Sequence, residues 1–252
     1  MALRLYLTGR VCVEAGETLL ADRRLGGRQE RLAFVYLAVE RARAATHDEL
    51  AEVLWADRPP AAWERALSAV VSHLRGALAR AGLPRSRVID HAFGCYQLQL
   101  PSGAWVDVEA AAEAVDRAEG ALAAGDVWGA YAWAGVATSV GRRPFLAGED
   151  GPWVDAQRHR LRRILLRGLD CITDLFGRAG EWQRAVAAAE EAVALEPYRE
   201  TGYRQLMRAH AGAGNGAEAL RAYERCRRLL ADELGVDPSP PTRAVYLELL
   251  RA

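Results

Sequence analysis

The second half of the chain repeats itself at a fixed interval. Gly180 recurs as Gly214, Ala185 as Ala219, Ala188 as Ala222, Glu190 as Glu224 and Leu195 as Leu229, each pair 34 residues apart. A weaker copy lies upstream, where Gly125 and Ala130 stand 55 residues before Gly180 and Ala185. In every copy a glycine is followed five residues later by an alanine: a turn, then a small residue on a helix that must approach its neighbour closely. A period of this length corresponds to one helix-turn-helix unit. Such units bury their apolar faces only by stacking on one another.

The period is that of tetratricopeptide (TPR) repeats, whose small alanine positions let paired helices close up and whose stacking makes a concave surface. No strand signal survives from Val106 onward, and Ala-rich amphipathic helices take over. The first hundred residues read differently. Leu3, Leu5 and Leu7 alternate with Arg4, Tyr6 and Thr8, a turn follows at Gly9, and Val11 and Val13 resume the alternation. After a second turn at Ala15-Gly16 come Leu19 and Leu20, so a small antiparallel sheet is predicted at the start of the chain.

A helix is predicted after Gly26-Gly27, with Leu32, Val35, Tyr36 and Val39 on one face, running to about Ala44. Thr46-His47-Asp48-Glu49 spells a capping box, in which Thr46 and Glu49 satisfy each other's backbone amides. The short helix it starts ends near Trp55, because Pro59 and Pro60 cannot continue it. "RVIDHAFGCYQLQL" reads as a hairpin with its tip around His91 to Gly94. Pro101-Ser102-Gly103 marks a boundary, so the reading has two domains, 1–101 and 104–252.

Between the prolines and the hairpin lies a third helix, Ala61 to Ala81. Trp63, Leu67, Val70, Val71, Leu74 and Leu78 form its apolar stripe, predicted to face a core. Arg65, Ser68, Ser72, Arg75, Gly76 and Ala79 fall on the other side, with Glu64 and His73 at the margins. Two arginines bracketing small residues make a face that lets a backbone come close to a groove or to another helix.

Charge permits nucleic-acid binding without demanding it. The chain is formally neutral, yet residues 1–100 carry 14 Arg against 11 Asp and Glu. The four cysteines, Cys12, Cys95, Cys171 and Cys226, form no C-x-x-C pair, and the five histidines are scattered, so neither a metal set nor a nucleophilic constellation is expected. "AGAGNGAEAL" (Ala211 to Leu220) lacks the strand and spacing of a dinucleotide loop and coincides with a repeat turn, so no cofactor is expected. "RHRLRRILLR" (Arg158 to Arg167) is expected to bury Leu161, Ile164 and Leu165 and to solvate its arginines. Trp128, Trp133, Trp153 and Trp182 fall on apolar stripes and are expected in the core. With no long apolar run, the chain reads as a soluble cytoplasmic protein, neither an enzyme nor membrane-bound.

Sheet, three helices and hairpin is also the order of an OmpR-type winged helix, and "VSHLRGAL" (Val71 to Leu78) and "GCYQLQL" (Gly94 to Leu100) resemble the end of its recognition helix and its wing return strand. The whole chain resembles the SARP family of bacterial transcriptional activators. The resemblance is carried by "ELAEVLWADRPPAAWERALSAVVSHLRGAL", "PFLAGEDGPWVDAQRHRLR" and "ALRAYERCRRLLADELGVDPSPPTRAVYLELL". It implies a mainly α fold with a small β component: an N-terminal winged helix-turn-helix domain, then an all-α, TPR-like bacterial transcriptional activation domain.

The resemblance also implies a homodimer that docks on promoter repeats in double-stranded DNA and recruits RNA polymerase to a biosynthetic or antibiotic-type gene cluster. The helix Ala61 to Ala81 would lie in a major groove and the hairpin tip near a minor groove. On that footing the DNA-binding candidates are Thr46, Arg65, Ser68, Ser72, His73, Arg75 and His91. Against the family's pattern, Glu64, Ser68, Val70, His73, Ala92 and Phe93 each offer less charge or reach. The alternative is therefore a TPR-like protein-interaction or regulatory module with weakened DNA binding.

Overall fold

The computed structural model describes residues 2–21 and 24–251. They fold into two compact units that are not contiguous in sequence: residues 1–110 with 143–161, and residues 111–142 with 162–252.

In the first unit, strands β1 (Leu3–Tyr6), β2 (Cys12–Ala15) and β3 (Thr18–Ala21) make the predicted antiparallel meander. Its free edge takes β7 (Trp105–Val106), parallel to β1, giving the order β3-β2-β1-β7. Then come α1 (Arg28–Val39), β4 (Ala45–Thr46), α2 (His47–Trp55), α3 (Trp63–Arg80) and the hairpin β5 (Ile89–Ala92) and β6 (Cys95–Leu98), with a second sheet ordered β4-β6-β5. Strands β4 and β7 escape a search for alternation because two residues cannot show a period. Helix α1 stops at Val39 rather than near Ala44. Residues 40–44 offer no large apolar side chain, and Ala45 leaves the helical path to pair with Tyr96 across β4–β6.

One continuous core joins these elements, from Leu5 and Val13 of the first sheet through Phe34 and Leu37 of α1 to Leu67, Val71 and Leu74 of α3. Residues 143–161 return to it with Phe145, Leu146, Val154 and Leu161. Two buried carboxylates tie the ends together. Asp107 accepts from the amides of Leu7 and Thr8 at 2.9–3.0 Å and from the Thr8 hydroxyl at 2.7 Å. Glu149 lies 2.6 Å from a guanidinium nitrogen of Arg28 and 2.9 Å from one of Arg31, both on α1. Arg158, from the basic run, spends its guanidinium on the carbonyls of Phe145, Leu146 and Glu149.

The second unit is built from α4 (Asp107–Ala124), α5 (Val127–Gly141), α6 (Pro152–Arg178), α7 (Trp182–Leu195), α8 (Glu200–Gly212), α9 (Gly216–Leu234) and α10 (Pro240–Leu249), α4 and α6 entering it at residues 111 and 162. The repeat is visible in its turns and its contacts. Gly125, Gly180 and Gly214 have φ of 77°, 73° and 75°, a conformation costly for any residue with a Cβ. The alanines five residues on, Ala130, Ala185 and Ala219, are completely buried. Close approach peaks where α8 meets the start of α7: a Cβ on Gly212 would lie 2.5 Å from the Trp182 ring. Unlike the first core, this one divides into several small, Ala-rich clusters. Cys171 and Cys226 are buried within it as free thiols, and burial pushes each up to about 11. Cys12 and Cys95 are only half-buried.

The tryptophan expectation fails once. Trp133 and Trp182 are half-buried in the second unit and Trp153 packs on the first core, but Trp128 is 84% exposed. Helix α5 carries no charged residue at all, so its apolar pattern could not say which side faces inward. Ala130, Ala134 and Ala137 face in, whereas Val127, Trp128, Tyr131 and Val136 face out.

Candidate nucleic-acid interface

Helix α3 sorts its side chains much as its periodicity predicts. Leu67, Val70, Val71, Leu74 and Leu78 are buried, and Arg65, Ser68, Ser72 and His73 are exposed. Trp63, at the helix start, is half-buried, and residues 61 and 62 form a turn rather than helix. Full burial of the leucine side chains contributes roughly 2 kcal/mol each to holding this helix in place.

The candidate residues have different local partners. Arg65 is exposed and, among the described residues, its guanidinium has no hydrogen-bond or ion-pair partner. The Ser68 hydroxyl donates to the Glu64 carbonyl one turn back, at 3.0 Å. His73 Nδ1 lies 3.1 Å from Glu30 Oε1 of α1. Ser72, His73, Gly76 and Ala79 line one wall of an open cleft of about 960 Å³, with Leu25, Gly26, Gly27 and Glu30 opposite. Arg75 is half-buried: its Nε and Nη2 donate to the Ile89 carbonyl at 3.1 and 2.7 Å. That bidentate grip fixes the first strand of the wing to α3.

Thr46 caps α2 as predicted. Its hydroxyl accepts from the Glu49 amide at 3.2 Å, and Glu49 Oε2 accepts from the Thr46 amide at 2.8 Å. A hydrogen bond from Arg43, reinforced by the Thr46 amide, holds the Glu49 carboxyl below its usual range. The wing tip is narrower than expected. Phe93 and Gly94 have φ of 52° and 71°, the two left-handed residues of a tight two-residue hairpin turn, and the Phe93 side chain is fully exposed. His91 therefore lies within β5, opposite Tyr96 of β6. There its Nε2 is 3.2 Å from Nε2 of His47, at the start of α2.

Three exposed cations around this surface were not singled out from the sequence. Arg58 sits between α2 and α3, and Arg85 and Arg87 between α3 and β5; among the described residues none of their guanidiniums has a partner. The signal available was position, since each falls in a loop flanking the α3 helix. The Tyr96 ring under His47 and His91 was also missed, although strand alternation puts Tyr96 and His91 on one face once the register is known.

A three-helix core with a capped second helix, a third helix exposing a small polar face and a hairpin wing is a winged helix-turn-helix. Joined to TPR-like repeats, it defines a class of bacterial transcription regulators. Residues 106–250 match the family described as bacterial transcriptional activator domain. The regulatory protein AfsR of Streptomyces coelicolor is 34% identical over the whole of this chain, which spans about a quarter of AfsR's length (24%). The transcriptional regulatory protein EmbR of Mycobacterium tuberculosis is 31% identical over 90% of this chain and 58% of its own. The solved structure of that EmbR in complex with a low-affinity phosphopeptide superposes with a TM-score of 0.86 at 27% identity, covering 99% of this chain and 65% of EmbR's. The chain belongs to the SARP family of bacterial transcriptional regulators. No helix among the described residues is long and apolar enough to cross a membrane.

Proposed function

We propose that this chain is a sequence-specific DNA-binding activator that docks on promoter repeats as a homodimer and recruits RNA polymerase to a biosynthetic or antibiotic-type gene cluster. The observation that carries the reading is the two-sidedness of α3: a buried leucine and valine stripe, and an outer face of Arg65, Ser68 and Ser72 low enough for DNA backbone and base edges to approach. Arg65 is the base or phosphate contact of this face. The Thr46 hydroxyl, which accepts from the Glu49 amide, can still donate to a phosphate at the start of α2, and His73 and His91 lie at the margins of this face. Arg75, already held by Ile89, acts by orienting the wing. Activation through polymerase falls to the helical repeats, and the reading places the protein in the cytoplasm with its DNA.

Fluorescence anisotropy on a DNA duplex from the protein's own upstream region tests this. Arg65→Ala should weaken specific binding by on the order of 1–3 kcal/mol if the contact is to a base. A purely phosphate contact should instead lower affinity for all sequences and shallow the salt dependence. Binding that ignores both salt and Arg65→Ala would overturn the reading.

One observation favours a second reading, a protein-interaction module with weakened DNA binding. Among the described residues the exposed side of α3 carries a single unpartnered arginine, while α5 exposes Trp128, Tyr131 and Val136 with no charge among them. Recovery of a protein partner that is lost on Trp128→Ser, with no DNA retained at low salt, would support it.

A further inference from the structure

We propose that His47 and His91 form a binding site for a divalent first-row transition ion, of which Zn²⁺ and Ni²⁺ are the natural probes, bridging the start of α2 to the wing. Their Nε2 atoms face each other at 3.2 Å. Two ring nitrogens this close and facing each other are the pair of donor atoms that one ion inserted between them would share. Two imidazole nitrogens each 2.0–2.1 Å from one ion, and 3.2 Å from each other, subtend about 100° at the metal, near the tetrahedral value.

The pair is also preorganised. The two rings lie within 7° of parallel with centroids 5.3 Å apart, and both stack on the buried Tyr96 ring, whose centroid is 4.8 Å from His47 and 4.6 Å from His91. The His47 amide donates to the Gly94 carbonyl at 3.1 Å, and the His91 amide to its neighbour Asp90 at 2.9 Å, so both backbones are held as well. The start of α2 is the positive end of a helix dipole, but Asp48 and Glu49 in its first turn offset that charge.

Among the described residues no third His, Cys, Asp or Glu completes a ligand set. Cys95 neighbours the pair in sequence but alternates with Tyr96 along β6 and so points to the opposite face of the sheet. An ion held here keeps open positions for water or an exogenous ligand, which makes it exchangeable rather than a closed structural centre. Imidazole donors suit zinc, nickel and copper and discriminate against magnesium and calcium.

Calorimetric titration of the full chain with Zn²⁺, in the absence of DNA, tests the site independently of any DNA-binding role. One ion per chain is expected, with affinity reduced about tenfold or more in His47→Ala and in His91→Ala. Cys95→Ser and His73→Ala should titrate like the parent. Added Zn²⁺ should also raise the thermal midpoint of the parent and leave that of His91→Ala unmoved, because only a site in the folded state stabilises it. His91 is exposed, so its alanine variant should fold, which far-ultraviolet circular dichroism checks. Three results would each overturn the proposal: no zinc binding by the parent, equal binding by His91→Ala, or loss of binding in Cys95→Ser.

Discussion

The two units of this chain hold themselves together in different ways. The first has one continuous core, closed by the buried carboxylates of Asp107 and Glu149, whose donors lie just after β1 and on α1, far away in sequence. The second is a succession of small clusters in which alanines and glycines let neighbouring helices touch. A core closed by long-range polar links responds as a whole when a link is cut. A repeat array answers locally, because each helical hairpin depends chiefly on its neighbours.

The sharpest way to break that contrast is Asp107→Ala. It strips the acceptor from three buried amides and a buried hydroxyl, and should cost on the order of 3 kcal/mol, read as a fall in the urea midpoint with faster amide exchange throughout β1, β2 and β7. Exchange confined to residues 105–110 would show that the clamp is not coupled to the sheet. Next in size is Gly212→Ala, which drives a methyl into the Trp182 ring and should cost roughly 1–3 kcal/mol. Its increased exchange should stay within α7 and α8, and spread into the first unit would contradict local stability in the repeats. The smallest effect is expected for Trp128→Ser, within about 0.5 kcal/mol, because that ring is 84% exposed and its removal opens no cavity.

Much of the fold was legible because it is written in short-range patterns. The glycine–alanine spacing announced three left-handed turns and three buried contacts, and the capping box at Thr46 formed with both of its hydrogen bonds. The stripe of α3 was readable because Arg65, Ser68 and Ser72 mark its other face. In α5 both faces are apolar, so periodicity carries no sidedness, and the stripe that predicts a buried Trp128 leaves it exposed. The strands β4 and β7 and the return of residues 143–161 to the first core depend on pairings tens of residues apart, for which a single sequence holds no local signal.

The candidate interface was legible to the same depth. Exposure followed from helical phase, but hydrogen-bond partners did not. Arg75 sits at a position that reads as outward, and the hairpin folds back to claim it through Ile89. His47 and His91 are 44 residues apart, and only the β5–β6 register, with Tyr96 beneath, brings them together.

The return of residues 143–161 bears on how relatives of this chain could exchange parts. Phe145, Trp153 and Glu149 complete the first unit although they come after α5, so a chimera spliced at Pro101–Gly103 would pair a foreign Asp107 with the resident Leu7 and Thr8, and a foreign Glu149 with the resident Arg28 and Arg31. The heritable module is therefore 1–110 together with 143–161. Exchanging the first unit intact between family members by recombination requires two crossovers more than a linear reading of the chain suggests.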